Sequence, residues 1–377
     1  MSYLLPLAAF IFSLIFALCI IPGILNIAHK YSIFDKPNNR KSHTQPIPRI
    51  GGIAFYCCVI VSLLAIYVLY THFADDFRQL ILPDTTEFSL LLCALLILFL
   101  GGLKDDLLGI RYRFKFIIQI AAAALVICSG LYINNFHGLL GIHAISPWIG
   151  MPLTVIVLVF IINAMNFIDG IDGLSTSIGF TALSVYGVFF MLHGLWHYTV
   201  LACSMGGVLI VFFFYNVFGS VKKKRKLFMG DSGSMTLGLI LGFLLIKCIY
   251  YPLLIEPEML HPVQPVLNVV VIAISPMLLP ILDVLRVILS RIKRHKLIFI
   301  ADRSHIHHKL LDMGLNKSLT MIALLWVNSG FCFFNFIMIP FLQSQYIFLI
   351  DVVVWIGANM LLSYYIKKRK SHVMAVS

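Results

Sequence analysis

Four polar side chains recur at three-residue intervals in the stretch Asn163 to Gly173, NAMNFIDGIDG: Asn163, Asn166, Asp169 and Asp172. On a helix, positions i and i+3 are neighbours, so these residues form a polar stripe that drifts slowly around the axis. Two carboxylates and two amides at the edge of a membrane span are costly unless they bind something. The stretch carries no Lys or Arg. Its natural partner is a metal ion or a cationic neighbour. The plainer alternative is a polar network that joins helices.

Three further constellations carry chemistry. Asp105 and Asp106 are adjacent in GGLKDDLLGIRYRFK. Adjacent side chains on a helix diverge by about 100°. One carboxylate can therefore face a metal or nucleophile while the other faces a base such as Lys104, Arg111 or Arg113. In KKKRKLFMGDSGSM, five consecutive bases precede Asp231, which lies among Gly230, Ser232 and Gly233. Small residues there would let phosphate and metal approach the backbone, and the next helix would offer unpaired N–H groups to an anion. The plainer readings are a basic patch for anionic lipid and an N-cap aspartate. Last, DRSHIHHKLL combines His305, His307 and His308 with Arg303 and Lys309, downstream of Arg291, Lys293 and Arg294. Three histidines suggest zinc, but the surrounding positive charge disfavours a cation and suits a polyanionic phosphate. Asp283 and Arg286, at i and i+3, are placed to hold this loop as an ion pair.

Asp clusters for a divalent cation and Arg, Lys and His for phosphates imply phosphoryl transfer, in which positioning and charge neutralisation do most of the catalysis. Magnesium, which binds through one or two carboxylates plus substrate phosphates, suits these residues better than calcium; manganese could substitute for it. No GxxxxGK[ST] loop is present, which argues against an ATP-driven motor. A site at the bilayer surface points to a lipid acceptor.

The elements that must position these groups are membrane spans. Of 377 residues, 60% are hydrophobic and 12% charged, about half the charged share of a soluble domain. The chain therefore reads as one all-α polytopic integral membrane domain, 1–377. Spans of about 20 apolar residues are expected at eleven places: 3–27, 51–71, 88–103, 116–134, 149–166, 174–193, 199–218, 233–252, 266–288, 319–341 and 346–366. With the N-terminus outside and the C-terminus cytoplasmic, the inner connections and tail hold 26 of the 28 Lys and Arg, all but Arg78 and Lys247, as the positive-inside rule requires. The net charge of +12 then reflects membrane orientation rather than nucleic-acid binding. The eight cysteines all lie in apolar runs without CxxC spacing and read as small buried side chains.

In order along the chain, DKPNNRKSHTQPIPRIGG, the Asp105–Asp106 pair, NAMNFIDGIDGL, FMGDSGSM and DRSHIHHKL resemble the polyprenyl-phosphate N-acetylhexosamine-1-phosphate transferases. The histidine segment is similar to the branch that uses UDP-GlcNAc and undecaprenyl phosphate. The resemblance implies eleven spans in a bacterial cytoplasmic membrane, an active site on the cytoplasmic face, and transfer of GlcNAc-1-phosphate with release of UMP. This would be the first membrane step of O-antigen or related envelope polysaccharide synthesis. It implies Asp231 and Asn166 as metal ligands. Asp105 and Asp106 would position or deprotonate the lipid phosphate, and Asp169 and Asp172 would orient nucleotide and sugar. Phe228 would stack on uracil, with Asn216 near the uridine. Arg291, Arg303 and His305 would grip the sugar and diphosphate, with Asn163, His307 and His308 completing the substrate contacts. Expected partners are UDP-GlcNAc, undecaprenyl phosphate and membrane lipids, with self-association left open. The competing readings are the same chemistry on another UDP-N-acetylhexosamine, a cation-coupled transporter, and a structural scaffold.

Overall fold

In hydrocarbon a backbone must satisfy its own N–H and C=O groups, so apolar runs become helices. The computed structural model describes residues 4–35, 45–73, 85–250, 269–295 and 304–376. It contains α1 (Leu4–Lys30), a two-residue hairpin of β1 (Phe34–Asp35) with antiparallel β2 (Ile47–Pro48), α2 (Gly52–Phe73), α3 (Thr85–Leu108) and α4 (Tyr112–Cys128). There follow α5 (Pro147–Ile168), α6 (Leu174–Leu192), α7 (Trp196–Phe213) ending in a wide π turn (Phe214–Phe218), and α8 (Gly230–Tyr250). The chain closes with α9 (Val269–Ile274), α10 (Leu278–Lys293), α11 (Ile306–Asp312), α12 (Lys317–Met338) and α13 (Ser344–Val376). Rows of apolar residues such as Leu4, Leu7, Ile11, Ile15 and Leu18 of α1 are exposed, a surface suited to lipid and not to water. This is a multi-pass membrane protein.

Among the described residues, ten helical segments are long and apolar enough to cross a membrane, rather than eleven. The difference is α4, whose 17 residues span about 25 Å against a hydrocarbon thickness of about 30 Å. The expected ninth span, 266–288, is broken: Pro276 lies in a 3₁₀ turn, Ser275–Met277, that separates α9 from α10, because proline cannot donate the helical hydrogen bond. The short third span grows to α3, Thr85–Leu108, so Asp105 and Asp106 sit on its last turn instead of in a loop.

α8 is the axis of the bundle, buried along almost its whole length against α2, α3, α5, α6 and α9. Small residues permit that contact. A Cβ on Gly102 of α3 would fall 2.5 Å from Ser232 Cα, and one on Gly52 of α2 would collide with the Gly233 nitrogen. The Gly-Asp-Ser-Gly run is thus consumed by helix packing and is not left open for phosphate.

At the opposite end of α8 from Asp231, Lys247 donates to Glu87 at 2.6 Å, and Tyr198 donates to the other Glu87 oxygen at 2.7 Å. Glu87 is therefore buried. So is Asp351 of α13, which accepts from Asn335 at 3.0 Å.

Candidate active site

The connections 45–50, 109–111, 169–173 and 219–229 meet at the α8 N-terminus. Asp231 is its second residue. Its carboxylate accepts from Arg49 Nη2 at 2.5 Å, from Lys115 Nζ at 2.5 Å and from the Asn166 amide. Asn166 also donates to Ser234 Oγ at 2.8 Å. Asp231 and Asn166, expected as metal ligands, therefore touch.

The two adjacent acids face different partners. Asp106, its side chain fully buried, accepts from the backbone N–H of Asp231 at 2.7 Å and of Ser232 at 3.0 Å, and from Ser232 Oγ at 2.7 Å. It is the anion that the α8 N-terminus binds, which corrects the expectation that those N–H groups are left for a substrate. Arg49 Nε lies 3.5 Å from it. Asp105 turns the other way. It accepts the Ile110 N–H at 2.8 Å and faces Lys115 Nζ at 3.3 Å. Lys115 thus stands between Asp105 and Asp231. The bases named from sequence lie elsewhere: Lys104 sits over the Phe114 ring and Arg113 over Tyr112. Burial works against the charge of Arg49, but Asp231 and Asp106 outweigh it and hold its guanidinium above the ordinary range.

The second half of the stripe forms the turn between α5 and α6. Asp169 accepts from Ser175 Oγ at 2.5 Å. Burial pushes its carboxyl up to about 7 against the opposing effects of Ser175 and Arg49. Asp172 pairs with Lys226 at 2.8 Å, so the last base of the KKKRK run belongs to the site. Asn216, on the π turn, accepts the Gly173 N–H at 2.6 Å and donates to the Leu227 carbonyl at 2.8 Å. It ties the turn to the segment before α8. Phe228 lies on that segment, its N–H on the Pro48 carbonyl at 2.8 Å and its carbonyl accepting from Gly51 at 3.0 Å. Asn163 is one helical turn deeper than Asn166. Its amide is paired with Gln119 of α4 at 2.7 Å and with the Val159 carbonyl, which is the helix-joining role.

The histidine segment is fastened from α10. Asp283 accepts from Arg286 at 2.8 Å and from the Ile306 N–H at 3.0 Å, with His305 Nδ1 at 2.8 Å, and Arg286 also reaches the Ser304 carbonyl at 2.6 Å. The expected Asp283–Arg286 pair thus holds the loop. His305 stacks on Phe167 at 5.4 Å. His307 is 1% exposed, with neither ring nitrogen hydrogen-bonded, and packs against Gly170, where a Cβ would stand 2.5 Å from its Nε2. Burial, with neighbouring His308 and His305, lowers it to about 3. His307 is therefore a neutral ring under the Asp169–Gly173 turn, not a cationic phosphate ligand. His308 packs on it at 4.2 Å. Arg303 lies outside the described residues.

An apolar cavity of about 270 Å³ runs between α4, α5 and α10, lined by Phe116, Ile120, Val159 and Phe160, with Asn163, Phe167, Arg291 and His305 also in its wall. A charged site therefore lies beside a hydrocarbon-like groove.

Arg49 and Lys115 are the charged residues around Asp231 that sequence reading missed. Their only signal was position: each lies within a segment already singled out.

Among the described residues no three or more His, Cys, Asp and Glu form a ligand cluster. The arrangement still suits a cation held by few protein oxygens. Asp105, Asp106, Asp169, Asp172 and Asp231 meet Arg49, Lys115 and Lys226. Five carboxyl groups thus face three bases. Asp231 and Ser234 supply hard oxygens of the kind magnesium takes, and Asn166, whose NH₂ faces both, would add its oxygen by turning its amide over.

Comparison with known proteins identifies the family. The model of Glycosyl transferase family 4 covers residues 88–249, which contain every acid of the site. A protein of Bacillus subtilis named "Probable undecaprenyl-phosphate N-acetylglucosaminyl 1-phosphate transferase" is 32% identical over 330 residues, 86% of this chain and 82% of its own. The chain belongs to the polyprenyl-phosphate N-acetylglucosamine-1-phosphate transferase family. Two further relatives match over most of their length. The undecaprenyl-phosphate alpha-N-acetylglucosaminyl 1-phosphate transferase of Yersinia pestis is 28% identical over 77% of this chain and 73% of its own. The decaprenyl-phosphate N-acetylglucosaminephosphotransferase of Mycolicibacterium smegmatis is 29% identical over 80% and 74%. The family match leaves out Arg49 and α11, which lie on either side of it and are brought to the site by the fold.

Proposed function

We propose that the chain transfers N-acetylglucosamine-1-phosphate from UDP-GlcNAc to undecaprenyl phosphate, releasing UMP and forming undecaprenyl-diphospho-GlcNAc. The observation that carries this reading is the apolar groove beside Arg291 and His305, whose wall includes Asn163, one helical turn from the Asn166 that meets Asp231. A phosphate on a long hydrocarbon tail fits both environments at once.

In the reaction, an oxygen of the lipid phosphate forms a bond to the β-phosphorus of the sugar nucleotide. The bond from that phosphorus to the bridging oxygen breaks, and UMP leaves with that oxygen. The lipid phosphate ionises near pH 6, so no dedicated base is required. Asp231 and Asn166, with Ser234, would hold magnesium, which supplies charge neutralisation at the phosphates when bound. Arg49 and Lys115 rise from opposite sides of Asp231 and can turn to phosphate oxygens once a cation neutralises that carboxylate. Asp106 acts through α8, which it holds in place. Asp172, Asn216 and Phe228 shape the nucleotide end, and His305 and Arg291 lie toward the sugar and lipid end.

We place the site on the cytoplasmic face of a bacterial cytoplasmic membrane, because the expected inner loops 28–50, 104–115, 219–231 and 286–318, from which its bases come, carry 22 of the 28 Lys and Arg. The product is suited to initiating an envelope polysaccharide such as O-antigen. The test uses purified protein in detergent with undecaprenyl phosphate, magnesium and a panel of UDP-sugars, with lipid products read by mass spectrometry. UDP-GlcNAc should give the diphospho-GlcNAc lipid. If another UDP-N-acetylhexosamine alone reacts, the sugar assignment falls. A phosphorylated Asp105 or Asp106 during turnover would overturn direct transfer.

A further inference from the structure

The C-terminal helix is the part of the chain to which the motifs assign nothing. Its inner end nevertheless touches the segment that carries the histidines. Lys309, one turn after His305 on α11, donates through Nζ to Ser363 Oγ at 3.1 Å and to Asn359 Oδ1 at 3.4 Å, both on α13. Those two acceptors are joined to each other's turn: Ser363 Oγ donates to the Asn359 carbonyl at 2.8 Å, and Asn359 Nδ2 to the Trp355 carbonyl at 3.0 Å. Just past α11, Gly314 adopts φ +97°, and the Arg369 guanidinium of α13 lies where its Cβ would be. α11 is only seven residues long, too short to be stable alone. Its N-terminal end is fixed by Asp283 and Arg286 of α10; its C-terminal end is fixed by α13.

We propose that α13 is a latch for the histidine helix, with Lys309 as the positioning residue that ties α11 to Ser363 and Asn359. His307 packs on Gly170 and His305 on Phe167, so the tilt of α11 sets where both rings stand against the Asp169–Gly173 turn. Lys309 acts through them: its ammonium is turned to α13, its side chain does not line the groove, and its backbone N–H returns to the His305 carbonyl at 3.2 Å. The inference rests on the transferase reading for its kinetic consequence but not for its structural one.

The experiment therefore has two readouts on the full-length protein in detergent: hydrogen exchange of the backbone amides at 306–312, and KM and kcat for UDP-GlcNAc. Lys309→Met keeps the stem and removes the donors. It should speed exchange across α11 by about 10-fold, the equivalent of one hydrogen bond to a charged group, and raise KM several-fold with little change in kcat. Lys309→Arg should restore both, and Ser363→Ala combined with Asn359→Leu should reproduce the Met variant from the other helix. Unchanged exchange and KM in the Met variant would overturn the latch. A fall in kcat at constant KM would also overturn it, by showing that Lys309 meets the reacting groups. If the wild type releases no UMP, the exchange readout still decides the latch while the transferase reading fails separately.

Discussion

Replacing Asp106 should unseat α8 before it affects chemistry directly. The Asp106 carboxylate is fully buried and accepts three hydrogen bonds from Asp231 and Ser232, with Arg49 alongside. Hydrogen bonds to an ionised acceptor are each worth about 1.5–3 kcal/mol. The three share one carboxylate and do not add, and removing one partner of a buried charged pair costs about 3–5 kcal/mol. Asp106→Ala should therefore destabilise the protein by about 4 kcal/mol. Asp106→Asn keeps the shape and one acceptor oxygen but turns an NH₂ group toward a donor, and should cost about 2 kcal/mol. In detergent these translate into a fall in Tm of about 8 °C for Ala and half that for Asn. Thermal unfolding followed by intrinsic fluorescence, alongside UMP release on the same samples, measures both effects. The variants should lose activity in the order in which they lose stability. An Asp106→Ala protein with wild-type Tm and no turnover would refute the reasoning, and would make Asp106 a group that meets the substrate.

Four further outcomes follow from the geometry. Lys115→Met leaves Asp105 and Asp231 without their shared cation; without magnesium it should lower Tm, and added magnesium should restore more of it than in the wild type. Gly102→Ala puts a methyl group into the Ser232 backbone, where overpacking costs about 1–3 kcal/mol, so Tm and UMP release should fall together. Burial raises the Asp169 carboxyl to about 7 from an ordinary 3.8, so the folded chain keeps a proton that the unfolded chain releases. That contribution to stability is present below about pH 4 and is lost as pH rises through about 7. Asp169→Asn should flatten the fall in Tm across that window, and an unchanged slope would count against the shift. Chelation by EDTA should stop UMP release, and magnesium or manganese should restore it.

Much of the site was legible because its residues sit where their chemistry is conspicuous. Asp231, Asn166, Asp169 and Asp172 are polar groups at the ends of apolar runs, and the cost of placing them there is itself the signal. The Asp105–Asp106 divergence follows from helix geometry and was readable. Which acid does what was not. Asp106 meets α8 across 125 residues of sequence, and nothing local announces a cap supplied from another helix. Arg49 and Lys115 were missed for the same reason: each is one base among many, and only the tight turn at Gly109, whose N–H returns to the Asp105 carbonyl at 2.9 Å, brings α4 and Lys115 back to α3. His307 was read as a substrate contact because exposure is not written in a motif; it is buried against Gly170. The span count differed at α4, where an apolar run continues past the helix into the 129–134 segment. The break at Pro276 was visible in the sequence but was absorbed into one span.

The most direct test of the account measures UMP and lipid-linked product together, from wild type and Asp231→Asn, with undecaprenyl phosphate, UDP-GlcNAc and magnesium. The account predicts equal amounts of UMP and undecaprenyl-diphospho-GlcNAc from the wild type, none without lipid phosphate, and loss of both in a folded Asp231→Asn protein. Undiminished transfer by that variant would contradict the central role of Asp231.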